Sequence, residues 1–165
     1  MSRPMLNVLW LQSGGCGGCS MSLLCADTAD FAAQLPQLGI HLLWHPSLSL
    51  ASGRELITLL EDCREGRTKL DVLCVEGSLL RGPNGTGRFH MLAGTGLPMI
   101  DWVRALAAAA THVVAVGSCA AWGGITATGP NVTDACGLQY DGDRPGGLLG
   151  ADFVARGGLP VINVA

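Results

Sequence analysis

The sequence predicts an α/β fold in which helices cover both faces of a doubly wound parallel sheet. Short apolar runs alternate with helical patterns along the 165 residues, as in right-handed β–α–β crossovers. With 48% hydrophobic and 14% charged residues, the chain can bury a core and is not intrinsically disordered. It shows no internal repeat or linker, so we expect a single domain over residues 1–165.

The first strand and helix are predicted on either side of a glycine-rich turn. Residues 6–11 are largely apolar and end at Gln12-Ser13-Gly14-Gly15, which predicts a strand followed by a turn. Ser20 is placed to cap a helix that Pro36 ends. The apolar side of that helix is expected to carry Leu24, Phe31 and Leu35.

A second strand and a well-marked helix follow. Residues 40–44 predict a strand that stops at Pro46. Ser52-Gly53-Arg54-Glu55 has the spacing of a capping box, in which the serine and glutamate side chains bond the free amides of the first helical turn. Gly66 is expected to end this helix. Its apolar stripe consists of Leu56, Leu59, Leu60 and Cys63.

Three further strands and one helix are predicted in the rest of the chain. Continuous apolar runs at residues 72–75, 113–116 and 161–164 have the pattern of strands that are buried on both faces. Residues 99–110 are rich in alanine and follow Pro98, which suits a first helical turn, so they predict a helix.

Most of the 24 glycines lie in three long loops, each directly after a predicted strand. These loops cover residues 12–19, 76–98 and 117–150. The carboxyl ends of parallel strands meet at one edge of the sheet, where open α/β folds bind their ligands. We therefore expect Cys16, Cys19 and Cys119 at this edge.

Composition argues against several classes of function. The net charge is −3 and no basic cluster is present, which argues against nucleic-acid binding. No apolar stretch reaches the roughly 18 residues of a membrane helix, and the amino terminus lacks the pattern of a signal peptide, so we expect a cytoplasmic protein. Seven cysteines in such a chain are not expected to form disulfides.

Two cysteines with metal-ligand spacing follow the first strand. In Gly14-Gly15-Cys16-Gly17-Gly18-Cys19, the CxxC spacing lets two thiolates meet one metal or one cluster edge, and the glycines let backbone amides approach the sulfurs. A CxxC alone fits zinc, a redox dithiol or an iron–sulfur cluster. Cys119 adds a third thiol from another loop, which favours a [4Fe–4S] cube because its corners face different directions. Zinc and a redox pair remain alternatives.

The other candidate residues invite plainer interpretations. Cys25, Cys63 and Cys74 are expected to be small core residues, whereas Cys136, in a loop on the ligand side, stays ambiguous. Glu76 ends a strand on the same edge, where it would be a proton-handling or partner-facing carboxylate, or simply a solvated acid.

The chain resembles the small subunit of nickel–iron hydrogenases over its whole length. The motifs are Gly15-Cys16-Gly17-Gly18-Cys19, Val75-Glu76-Gly77, Gly117-Ser118-Cys119-Ala120-Ala121-Trp122-Gly123-Gly124 and Gly129-Pro130-Asn131-Val132-Thr133. A closer similarity to the cytoplasmic hydrogen-sensing type rests on residues 9–15, 81–90 and 134–140.

The resemblance implies a flavodoxin-like domain that holds a proximal [4Fe–4S] cluster through Cys16, Cys19 and Cys119. The family's fourth ligand and its C-terminal cluster domain would lie beyond Ala165, so we expect a shortened form of the subunit; otherwise Cys136 or an outside ligand would fill the corner. Oxygen-tolerant relatives carry two additional cysteines, and because Gly18 and Gly124 occupy these positions an ordinary cube is expected.

The resemblance also implies a partner. A separate large subunit would hold the nickel–iron centre, and this chain would carry its electrons and pack an apolar rim with Leu11 and Trp122 against it. A sensor histidine kinase is a further partner of the hydrogen-sensing type. Two alternatives are a non-catalytic redox sensor or scaffold module and the iron–sulfur subunit of a quinone-reducing respiratory complex. That last class has adjacent cysteines after the first strand, whereas Cys16 and Cys19 are separated.

Overall fold

The computed structural model describes residues 5–26 and 31–165 as an α/β structure. In chain order its elements are β1 (Leu6–Gln12), α1 (Gly18–Leu24), α2 (Phe31–Gln34), β2 (Ile40–Trp44), α3 (Arg54–Arg64), β3 (Val72–Glu76), β4 (Leu79–Leu80), α4 (Met99–Ala109), β5 (His112–Val116), α5 (Gly117–Trp122), β6 (Ala135–Cys136), β7 (Tyr140–Asp141), β8 (Arg144–Pro145) and β9 (Ile162–Val164), with a 3-10 turn at Gly124–Ala127.

The central sheet has five parallel strands in the order β2-β1-β3-β5-β9. Counted along the chain within this sheet, the order is 2-1-3-4-5, which is the flavodoxin-like arrangement. The predicted fold class is thus confirmed. The four remaining strands form two small antiparallel pairs, β4 with β6 and β7 with β8.

The strand register brings three strand ends to one level. Gln12 of β1 pairs with Glu76 of β3, and Glu76 pairs with Val116 of β5. The loops that follow these three strands therefore leave from one edge, which we call the carboxyl edge. The opposite edge, where the strands begin, is the amino edge.

The core lies mainly between the sheet and the helices α3 and α4. Leucine, valine and alanine side chains of β1, β3 and β5 pack there against Leu60, Trp102 and Leu106, which are fully or almost fully buried. The apolar stripe of α3 behaves as predicted, because Leu60 and Cys63 are buried and Leu56 and Leu59 pack against the core.

Three local predictions are wrong. No capping box forms: α3 begins at Arg54 with Gly53, at φ 56°, in the N-cap position and without a side-chain cap, so Ser52 stands one residue too early. Helix α1 begins two residues before Ser20 and ends at Leu24, so Ser20 is not its cap. The predicted continuation to Phe31 and Leu35 crosses residues 27–30, which lie outside the described residues, and α2 is a separate element.

The last predicted strand forms but is not buried. Strand β9 is the outermost strand of the sheet and all three of its residues are exposed, although the preceding Val161 is buried. Its last residue, Val164, lines a groove of about 640 Å³ between α1 and the carboxyl end of the sheet. The continuous apolar pattern therefore identified the strand correctly and its burial incorrectly.

Candidate functional site at the carboxyl edge

Three cysteines lie at the carboxyl edge of the sheet. Cys16 and Cys19 lie in the turn after β1 and the first turn of α1, and Cys119 lies in α5, directly after β5. A Cβ atom placed on Gly117 would stand 2.3 Å from Sγ of Cys19, and Gly117 has φ +79°. Only glycine fits there, because any side chain would collide with the Cys19 thiol. This close approach joins two motifs that are about a hundred residues apart in sequence.

The pKa of the Cys19 thiol is affected by burial and by the groups near it. Burial raises the pKa of the Cys19 thiol first, and the negative charges of Glu76, Cys119 and Cys16 raise it further. The thiols of Cys119 and Cys16 therefore both lie close enough to affect the ionisation of Cys19.

Glycines also border the other two sulfurs. A Cβ atom on Gly124, which has φ +52°, would lie 2.6 Å from Sγ of Cys119, and one on Gly18 would lie 3.1 Å from Sγ of Cys16. The backbone thus leaves the space beside each thiol free of side chains, and this donor set fits an iron–sulfur cluster.

The remaining cysteines do not belong to this group of thiols. Cys63 and Cys74 are core residues, as predicted, and burial raises the pKa of their thiols to about 11 and about 12. Cys136 is fully buried in β6, and its Sγ donates to the carbonyl of Leu79 at 3.7 Å. Cys136 as a candidate for the fourth corner stays a prediction. Cys25 is exposed just after α1, so its predicted core position is wrong.

Glu76 is buried directly behind Cys19. Its side chain is only 2% exposed, so both the partner-facing and the solvated interpretations are wrong. The carboxylate accepts hydrogen bonds from the amides of Cys19 and Ser20, from Nε1 of Trp10, each at 3.1 Å, and from the Ser20 hydroxyl. Burial alone would raise the pKa of Glu76, but these bonds outweigh it and hold the pKa below its usual value. The residue is therefore a buried carboxylate anion; proton handling stays a prediction.

The loops around the thiols carry exposed apolar side chains. Ile125 is 75% exposed, Val132 is largely exposed, and Trp122 is partly exposed, as expected for an apolar rim. Leu11 is 2% exposed and lies in the core instead, because it alternates with Trp10 onto the covered face of β1. The expected rim is therefore present with different members.

Sequence reasoning missed the side chains that fix these loops. Nη2 of Arg81 donates to the carboxylates of Asp134, at 2.6 Å, and Asp141, at 2.8 Å, and so ties β4 to the loop before β6 and to β7. Ser20 and His45 were also missed as neighbours of Glu76. Each of these contacts joins residues at least 25 positions apart, and no periodic pattern in a single sequence marks such pairs.

Neither a site for a single metal ion nor a membrane-spanning helix is found among the described residues. Within residues 5–26 and 31–165, no group of three or more His, Cys, Asp or Glu side chains lies close enough to hold a single metal ion. None of the described helices has the length and apolar character needed to cross a membrane.

The family described as "NADH ubiquinone oxidoreductase, 20 Kd subunit" matches residues 16–165. The chain is 33% identical over 174 residues to the F420 non-reducing hydrogenase II small subunit of Methanosarcina mazei, with 95% of this chain and 43% of that protein covered. It is 37% identical over 132 residues to the hydrogenase-2 small chain of Escherichia coli, with 80% of this chain and 34% of that protein covered.

Solved structures of hydrogenases are also similar to this chain. The actinobacterial-type NiFe-hydrogenase from Ralstonia eutropha superposes with a TM-score of 0.78 at 30% identity, covering 97% of this chain and 48% of that chain. A recombinant [NiFeSe] hydrogenase from Desulfovibrio vulgaris superposes with a TM-score of 0.74 at 27% identity, covering 98% and 54% of the two chains. The chain thus spans less than half the length of the curated relatives named above.

Proposed function

The chain belongs to the family of nickel–iron hydrogenase small subunits, and from this premise we propose that it holds the proximal [4Fe–4S] cluster of a hydrogenase. Cys16, Cys19 and Cys119 would bind three corners of the cluster. The contact between Gly117 and the Cys19 thiol is the observation that supports this most strongly, because it brings the two cysteine motifs together at one edge.

The chain's own residues would fix and insulate this group. When bound, a [4Fe–4S] cluster supplies one-electron transfer at a potential set by its surroundings. The thiolates of Cys16, Cys19 and Cys119 would provide negative sulfur ligands on two separate segments of backbone. Gly117, Gly18 and Gly124 let that backbone approach the sulfurs, so that amide groups can face them. Buried Glu76 holds the amide of Cys19 from behind.

We further propose that the exposed apolar rim binds a hydrogenase large subunit, which would carry the nickel–iron site. Trp122, Ile125 and Val132 are exposed beside the thiols, and exposed apolar groups at a loop edge are typical of the core of a protein–protein interface. Electrons would pass between the large subunit and this chain across that contact. Hydrogen would be split on the partner, and this chain would supply the exit for electrons.

Hydrogen sensing, contact with a sensor histidine kinase and a cytoplasmic location stay predictions from the sequence; one relative, from Desulfomicrobium baculatum, is named a periplasmic [NiFeSe] hydrogenase small subunit. The description of the matching family favours one alternative, the iron–sulfur subunit of a respiratory complex. The two residues between Cys16 and Cys19, together with the hydrogenase relatives, support the hydrogenase assignment instead.

Metal analysis and EPR spectroscopy of the anaerobically purified protein, co-expressed with its large subunit, test the proposal. We expect iron and acid-labile sulfide together with a reduced-cluster EPR signal that Cys119→Ser abolishes. Cys63→Ser, a matched loss of a thiol from the core, should keep the signal. Stoichiometric zinc without iron and sulfide, or a signal that survives Cys119→Ser, would overturn the assignment.

Activity separates the enzyme from the sensor. Hydrogen-dependent reduction of a redox dye by the complex would support electron transfer from the large subunit. A complex that contains the cluster but does not reduce the dye, and that binds a kinase only under hydrogen, would show a redox sensor module instead.

A further inference from the structure

Three buried polar side chains, linked in series by hydrogen bonds, lie beside Cys19. His45 follows β2, Ser20 lies in α1, and Glu76 ends β3, so three separate elements contribute one residue each. Their exposed fractions are 1%, 3% and 2%. Burying these polar groups costs free energy, because each one loses its hydration on folding, and the hydrogen bonds between the elements must offset that cost.

The hydrogen bonds that link His45, Ser20 and Glu76 all run in one direction. The backbone amide of Ser47 donates to Nδ1 of His45 at 3.1 Å, so Nδ1 carries no proton. Burial lowers the pKa of His45 although the charge of Glu76 opposes this effect, so the ring is neutral and Nε2 carries its proton. Nε2 faces the hydroxyl of Ser20 at 3.3 Å and donates to it. The Ser20 hydroxyl is then left to donate to Glu76.

At the end of this series of hydrogen bonds, the Glu76 carboxylate binds the backbone at the beginning of α1. Its Oε1 accepts the amides of Cys19 and Ser20, and its Oε2 accepts Nε1 of Trp10 and the Ser20 hydroxyl. The ring of Trp10 also packs on that of His45, with centroids 5.1 Å apart. Four donors on two oxygens leave the carboxylate no freedom to turn. The backbone of Cys19 is consequently fixed by a residue 57 positions away.

We propose that Glu76, oriented by Ser20 and His45, is the positioning residue that fixes Cys19 for cluster binding and places a negative charge beside the cluster. This rests on the proposed function for the cluster itself and adds the residues that hold one of its ligands and bias its potential. Negative charge close to a cluster opposes the addition of an electron, so Glu76 should lower the reduction potential. A network that served only the stability of the fold would have no effect on that potential.

Amide hydrogen exchange of the full chain without cluster tests the positioning. In Glu76→Gln the amides of Cys19 and Ser20 lose a charged acceptor, and we expect them to exchange roughly tenfold faster. The matched control is Asp71→Asn, which also turns a buried carboxylate into an amide but at the amino edge. It should leave these two amides unchanged. The proposal is wrong if Glu76→Gln leaves their exchange as it is, or if Asp71→Asn accelerates it equally.

Reconstitution with iron and sulfide, followed by an EPR-monitored redox titration, tests the charge. Glu76→Gln should raise the reduction potential of the cluster, whereas Asp71→Asn should not change it. Ser20→Ala keeps the carboxylate and removes its link to His45, so it should accelerate exchange at Cys19 with a smaller change of potential. Equal potentials in Glu76→Gln and Asp71→Asn would overturn this part.

The two experiments also separate this proposal from the proposed function. A wild-type chain that takes up no cluster, alone or with its large subunit, would contradict the proposed function, and hydrogen exchange would still support or overturn the positioning of Cys19. Where Glu76→Gln does not fold, Ser20→Ala serves as the test variant, and unchanged exchange at Cys19 in that variant would overturn the proposal.

Discussion

The two edges of the sheet each bury one carboxylate, and they treat it differently. At the amino edge, Asp71 accepts the amide of Asn7 at 2.9 Å and pairs with the ammonium group of Lys69 at 2.7 Å. At the carboxyl edge, Glu76 accepts four neutral donors and has no cationic partner among the described residues. Asp71 is thus neutralised where it is buried, whereas Glu76 remains a net negative charge beside three thiols.

The unpaired charge of Glu76 indicates a functional role, whereas the paired charge of Asp71 is explained by stability alone. A buried charge without a counter-ion is costly, and a sheet edge that served only the fold would pair it or replace it by an apolar residue. The carboxyl edge also carries positive-φ glycines against sulfur atoms, which are positions where no other residue fits. Such local conflicts with stability are typical of functional sites. The amino edge, where the buried carboxylate of Asp71 is paired with Lys69, serves as an internal reference for each test.

The largest expected effect comes from filling the space beside a thiol. Gly117→Ala places a methyl group 2.3 Å from Sγ of Cys19 at φ +79°, so Cys19 must move. Overpacking costs about 1–3 kcal/mol, and the positive φ adds roughly 1 kcal/mol. We expect loss of the cluster signal together with a lower free energy of unfolding, measured by EPR and by denaturant titration.

Gly157→Ala is the matched control at the amino edge. Its Cβ atom would meet the ring of His112 at 2.5 Å and the carbonyl of Thr111 at 2.6 Å, so the fold should lose a similar few kcal/mol through overpacking. The cluster signal of the folded fraction should survive. If Gly157→Ala removes the cluster as well, the two edges are not independent and the comparison fails.

A smaller, pH-dependent effect is expected at Asp71. Burial would raise the pKa of Asp71, but the hydrogen bond from Lys69 and the amide of Asn7 lower it below the model-peptide value of 3.8. Because the folded-state pKa lies below the unfolded one, this carboxylate stabilises the protein above about pH 4. That contribution is lost as the pH falls through the folded-state pKa.

Asp71→Asn should therefore destabilise the protein at pH 7 by about 1–2 kcal/mol, and the difference from wild type should shrink on titration to about pH 2–3. Denaturant unfolding of both proteins at the two pH values measures this. A difference that stays constant with pH would mean that the charge of Asp71 contributes nothing to stability.

The sequence predicted what depends on local pattern, and it failed where partners lie far apart. All five strands of the sheet, the helix at α4 and the arrival of three cysteines at one edge follow from periodicity and strand order. The burial of Glu76 does not, because nothing near residue 76 shows that Trp10, Ser20 and His45 surround it. Leu11 was misplaced because a strand's alternation does not tell which face is covered. The predicted capping box was wrong by one residue. Gly53, not Ser52, is the N-cap of α3, and its backbone has a conformation that serine rarely adopts.

The smallest expected effect on stability concerns the exposed rim, and it bears on partner binding. Ile125 is 75% exposed, so Ile125→Ser should change the free energy of unfolding by less than about 0.5 kcal/mol. If the carboxyl edge is the face for a large subunit, the same substitution removes apolar area from the interface and should weaken the complex, measured by pull-down and analytical ultracentrifugation. Leu38, which is exposed just before β2 at the amino edge, provides the control: Leu38→Ser should leave the complex intact. Equal loss of binding in both variants would show that the interface is not confined to this edge, whereas loss in Ile125→Ser alone would show that thiols and partner surface belong to one site.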